Sequence, residues 1–138
     1  MSNRLVLLAA VCIGAAVFAA GAGAAAGGDP FTGVWIGIES PVGDGSTDVM
    51  AISGAGASGT RTWHYYETDA SGYCGAGPLS AAGTATATGS VLTVTVTATS
   101  CANGSPGSFP PPFQITMTSL GGGQIDWSGV IFNRLGAR

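Results

Sequence analysis

Beyond residue 26, the side chains that could do chemistry are seven carboxylates, two cysteines, one histidine and a run of aromatic rings. Glu39, Asp44, Asp48, Glu67 and Asp69 fall in and beside the first two long connections. Two such carboxylates at a suitable separation hydrolyse glycosides, provided that apolar cover raises the pKa of one of them. Loops this rich in glycine and serine offer little cover, so a hydrolase with loop carboxylates ranks third among the readings. The run Gly43-Asp44-Gly45-Ser46-Thr47-Asp48 has the flavour of a calcium loop but lacks its spaced oxygens and terminal glutamate, and no metal site is assigned. His64 has no Gly-x-Ser-x-Gly elbow to serve, and a histidine without nucleophile and orienting acid is not a catalyst. No catalytic residue is therefore assigned, and no cofactor is expected. Trp63, Tyr65, Tyr66 and Tyr73 gather aromatics on one strand and the adjoining loop, where they would stack on a sugar or line an apolar pocket. Core packing explains Trp63 and Tyr65 equally well.

Cys74 and Cys101 remain after the leader is set aside. With only His64 to help them they cannot make up a four-ligand metal site, and an even pair in a small exported domain reads as a disulfide.

The leader itself is read from residues 1–26. A basic start (Met1 to Arg4), an apolar run (Leu5 to Phe18) and a string of small residues (Ala19 to Ala26) have the three-part layout of a secretory signal peptide. The apolar run is shorter than the roughly 20 residues that span a bilayer. Ala24 and Ala26 both satisfy the small-x-small rule for cleavage. Lipidation at Cys12 is disfavoured, because Ala9-Ala10-Val11 precedes it where a lipobox is needed. The expectation is thus a secreted or extracytoplasmic protein whose single domain covers residues 27–138.

That domain contains no lysine, and three arginines stand against its seven carboxylates. Phosphate binding requires clustered basic groups, so nucleic acid is excluded as a partner, as is electrostatic docking on anionic lipid.

The elements that must position these groups are strands. Thr84–Thr88 and Val91–Thr97 alternate around Gly89-Ser90, a pair suited to a type II′ turn, which sets Ala87 against Leu92 and Ala85 against Val94. A second hairpin, Gln124–Trp127 and Val130–Arg134, turns at Ser128-Gly129. Phe113, Ile115 and Met117 alternate between the hairpins, and strands are placed near Val34–Glu39, Thr47–Ser53 and Arg61–Glu67. Eight strands with short connections predict an all-β fold, an antiparallel up-and-down barrel, since closure removes both sheet edges. In such a meander Cys74 and Cys101 fall at the same end, which also holds the longest loops and is the expected mouth. An interior lined by Ala85, Ala87 and Ala98 would leave space for a ligand.

Gly33-Val34-Trp35 opens the first strand and Arg134 sits late in the last. The combination resembles the signature of the calycin superfamily, which comprises lipocalins, fatty-acid-binding proteins and avidins. The resemblance implies that Trp35 closes one end of the barrel with Arg134 packed across it. Gly37 and Pro41 occupy the positions at which avidins place polar groups on biotin, so biotin binding is not implied. The helix that precedes the last strand of lipocalins is not visible either. The chain is most similar to small secreted bacterial barrels, a likeness that implies a fold and no activity.

An inward Trp35 turns Val34, Ile36 and Ile38 outward, an apolar stripe fit for a second subunit. The leading expectation is a non-enzymatic binding module holding a small apolar or aromatic ligand. The alternative is a structural or protein-interaction domain of the cell envelope.

Overall fold

A computed structural model describes residues 29–39, 45–54 and 59–136; the expected leader, Cys12, Pro41 and Asp44 lie outside them. Eight strands form one closed antiparallel barrel in simple sequence order: β1 (Gly33–Ile38), β2 (Thr47–Ile52), β3 (Arg61–Glu67), β4 (Leu79–Thr88), β5 (Val91–Cys101), β6 (Phe113–Gly121), β7 (Gln124–Trp127) and β8 (Val130–Arg134). β8 returns to pair with β1, with Trp35 opposite Arg134 and Ile36 opposite Asn133. Apolar alternation decides which face points inward: Met50 and Ile52, Leu92 and Val94, and Ile125 and Phe132 are all buried.

The β4–β5 hairpin takes the register that its turn chemistry dictates. Thr88 faces Val91, Ala87 faces Leu92 and Ala85 faces Val94. Gly89 supplies the positive φ, 59°, at the first turn position, and Ser90 has none, as a type II′ turn requires. The β7–β8 turn has positive φ at both Ser128 (54°) and Gly129 (91°), which marks it as type I′. Asp126 supports it by accepting the Gly129 amide at 2.9 Å.

Two features depart from the sequence expectation. β4 begins at Leu79 and β5 runs on to Cys101, both well beyond the alternating core of the hairpin. The register of the pair slips between Ala82 and Gly83, so that Ala82 opposes Ala98 while Gly83 opposes Val96. This β-bulge has a steric cause. A Cβ on Gly83 would stand 2.2 Å from the carbonyl oxygen of Thr95, so only glycine admits the close approach. Beyond the bulge the inward set shifts by one residue. Ala98 is therefore exposed on the outer face and does not line the interior, which corrects that expectation.

The second departure is a single helical turn, α1 (Ser71–Cys74), in the β3–β4 connection, ended by Gly75 in the left-handed conformation. It delivers Cys74 to Cys101 at the end of β5, and the two form a disulfide with Cα atoms 5.6 Å apart. Cys101 thus belongs to a strand end and not to a connecting loop. Closing 27 residues of chain stabilises the fold by about 3–4 kcal/mol on the chain-entropy account.

Candidate functional site

The two ends of the barrel are built differently. At one end, residues 29–32 run ahead of β1 and close the opening. Phe31 is completely buried, and its carbonyl accepts the Trp35 indole N–H at 2.9 Å. The Arg134 guanidinium lies over the Trp35 ring, 4.7 Å from its centroid, and donates to the carbonyls of Asp29 (3.3 Å) and Pro30. Arg61 completes the plug, with a 2.7 Å ion pair to Asp29 and its guanidinium 5.9 Å from the Phe31 ring. Burial pushes the Asp29 carboxyl up, but hydrogen bonds from Arg61, Thr32 and the Phe31 amide outweigh it and hold its pKa at about 2.

Gly37 is the inward residue two positions after Trp35. A Cβ there would press to 3.1 Å on Phe132 and Val130, so the glycine makes room for the core phenylalanine. Large side chains fill this closed half, and Ala85 and Ala87 sit within it.

At the disulfide end the described residues leave the barrel unfilled. Here β5 turns Thr99 inward beside Ala81 of β4, where its other half carries Leu92 and Val94. A cavity of about 420 Å³ results. Its wall includes Trp63 and Tyr65 of β3, Trp127 of β7, Tyr73 of α1, Phe109 of the β5–β6 connection and Phe113 at the start of β6. The rings form two groups. Trp63 stacks on Tyr65 (5.6 Å, 7°), and Trp127 meets both edge-on at 6.5 and 5.1 Å. Across the mouth, Phe109 packs edge to face on both Tyr73 (5.0 Å) and Phe113 (4.7 Å), and Tyr73 and Phe113 are tilted at 41° to each other.

The rim is held by polar ties. Tyr73 hydrogen-bonds Thr99 at 3.2 Å and donates to the Phe109 carbonyl. Ser108 donates to the carbonyls of Gly72 and Tyr73, and Asn103 to those of Cys74 and Ala76. Gly107 keeps clear of the Tyr73 ring, which a Cβ would strike at 2.1 Å.

Carboxylates converge at this end. Glu39, Asp48 and Glu67 each bring an oxygen to within 4.8 Å of the others. Glu39 and Glu67 line the aromatic cavity. Glu39 and Asp48, with Trp127, Ser128 and Val130, line an adjoining pocket of about 270 Å³. The Tyr65 hydroxyl lies 3.0 Å from Asp48 and 3.1 Å from Glu67 and donates into this pair. Burial, then the charges of Asp48 and Glu67, push the phenol well above its usual pKa, so it stays a neutral donor.

Of the aromatic residues picked out from sequence, Trp63, Tyr65 and Tyr73 meet at the cavity. Tyr66 does not: strand alternation turns it to the outer surface beside Val49 of β2, which removes it from the ligand set. His64 is also outward, in a shallow groove with Ser80, Ala82, Ala98 and Ser100. Asp69 accepts the Gly77 amide at 2.9 Å and serves the loop. Trp127, Phe109 and Phe113 were missed as cavity residues. Trp127 shares the inward face of the last hairpin, and that alternation was the signal available.

Val34, Ile36 and Ile38 do face outward, and Ile38 is 58% exposed. Ile36 and Ile38 continue onto Ile131 and Leu135 across the β1–β8 seam. No helix among the described residues is long and apolar enough to cross a membrane. No protein-family model, no curated protein and no solved structure matches this chain.

Proposed function

We propose that the protein is a non-enzymatic binding module, exported to an extracytoplasmic compartment, that takes a small ligand with an apolar or aromatic body into the barrel. One observation carries the reading: the cavity of about 420 Å³ at the disulfide end, walled mainly by aromatic and aliphatic side chains. A site of that size and lining suits a small organic molecule. The closed end is plugged by Phe31, Trp35 and Arg134, so entry is from the disulfide end. The calycin-like resemblance of Gly33-Val34-Trp35 and Arg134 agrees with such a role, and the disulfide is compatible with export.

Denaturing mass spectrometry of organic extracts tests the reading on the full chain, secreted with its own leader and purified under native conditions. A small molecule released at close to one per chain is the expected result. A blank from folded, disulfide-bonded protein that also takes up no apolar probe by calorimetry would remove the proposal.

A second reading rests on the outer stripe of Val34, Ile36 and Ile38 with Ile131 and Leu135. Exposed contiguous apolar surface of this kind marks interaction sites. In this reading the stripe joins two copies of the chain, or docks the barrel in the cell envelope.

A further inference from the structure

The cavity is not uniformly apolar, and its charged groups, Glu39 and Glu67, have one sign. Three carboxylates are contributed by three neighbouring strands: Glu39 directly after β1, Asp48 on β2 and Glu67 at the end of β3. Asp48 and Glu67 are cross-strand partners, an arrangement of like charges that sheets ordinarily avoid. Asp48 is also buried, with 1% of its surface exposed. Meanwhile the two arginines among the described residues, Arg61 and Arg134, both lie at the opposite end, against Phe31 and Trp35. A low-dielectric pocket with one sign of charge at its mouth focuses its field on an entering ion of the other sign.

The ring geometry points the same way. Trp63, Tyr65 and Trp127 surround the same region as Glu39 and Glu67, and indole and phenol faces attract a cation as carboxylates do.

We propose that the ligand is an organic cation: a protonated amine carried on an aromatic or apolar body. The ammonium is held by Glu39, Asp48 and Glu67, and the body lies among Trp63, Tyr65 and Trp127. This inference rests on the binding-module reading and names its ligand class.

Calorimetric titration of the full chain near neutral pH with three matched probes separates the two claims. The probes are phenylbutylamine, phenylbutanol and phenylbutanoate, alike in body and different in charge. The amine is expected to bind one per chain at least about tenfold more tightly than the alcohol, with the anion weakest. The double variant Glu39→Gln/Glu67→Gln is expected to lose this preference while still binding the alcohol, which also shows that it is folded. Equal affinity for amine and alcohol overturns the inference and leaves the binding module standing. Failure of all three probes on folded protein overturns both. Calcium titrated alone is the remaining arm, and calcium binding tighter than that of the amine assigns the carboxylates to a metal and overturns the inference.

Discussion

Asp29 is the residue on which the closed end depends. It accepts hydrogen bonds from Thr32 at 2.6 Å and from the Phe31 amide at 3.1 Å, and it pairs with Arg61 of β3. Its pKa of about 2 lies below the ordinary 3.8, so ionised Asp29 favours the folded state. That contribution is fully present above about pH 4, declines as pH falls, and is gone below about pH 2. Solvent at this partly open position holds it to on the order of 1 kcal/mol. Urea unfolding measured across that window is expected to show a steeper loss of stability in the wild type than in Asp29→Asn; identical slopes would refute the assignment. Nothing in the sequence singles out Asp29, because its partners are 2, 3 and 32 positions away and only closure of the barrel brings Arg61 to it. Trp35 and Arg134 were legible through their resemblance to a known pattern. Tyr66 was misplaced because it was grouped with its neighbours by type, although alternation with Tyr65 already sends it outward.

At the scale of elements, legibility followed turn chemistry. The β4–β5 hairpin was readable to the residue because Gly89-Ser90 fixes both the turn and the register. The bulge in the same hairpin was not, since a glycine inside an alternating run leaves no mark of whether its neighbour's backbone approaches. Its consequence is large: it moves Ala98 out and Thr99 in, and thereby shapes the cavity wall. Gly83→Ala is expected to cost about 2–3 kcal/mol, because the added methyl meets backbone rather than a movable side chain. A chemical denaturation midpoint unchanged from wild type would show that the close approach is dispensable. The helical turn α1 was equally hidden, being four residues long and held by a disulfide and loop contacts rather than by any period of its own.

Over the whole molecule, eight alternating runs sufficed to anticipate a closed all-β barrel, and the cysteine positions sufficed to put the disulfide at one end of it. The acids were legible as a cluster in the first two connections, but the triad within it was not, because Asp48 and Glu67 were read as uncovered loop acids whereas they sit on β2 and β3 and Asp48 is buried. The outer stripe belongs to this scale too. If it joins two copies, sedimentation of the full chain should show reversible dimerisation with rising concentration, and Ile38→Asp, at an exposed strand end, should abolish it without loss of fold. A strict monomer at high concentration ends that reading.

The chain has three tryptophans, and the barrel divides them by address. Trp63 and Trp127 stand in the cavity wall, while Trp35 is sealed at the far end under a guanidinium. A ligand entering the mouth should therefore change the emission of Trp63 and Trp127, whereas Trp35, at the opposite pole, should not respond.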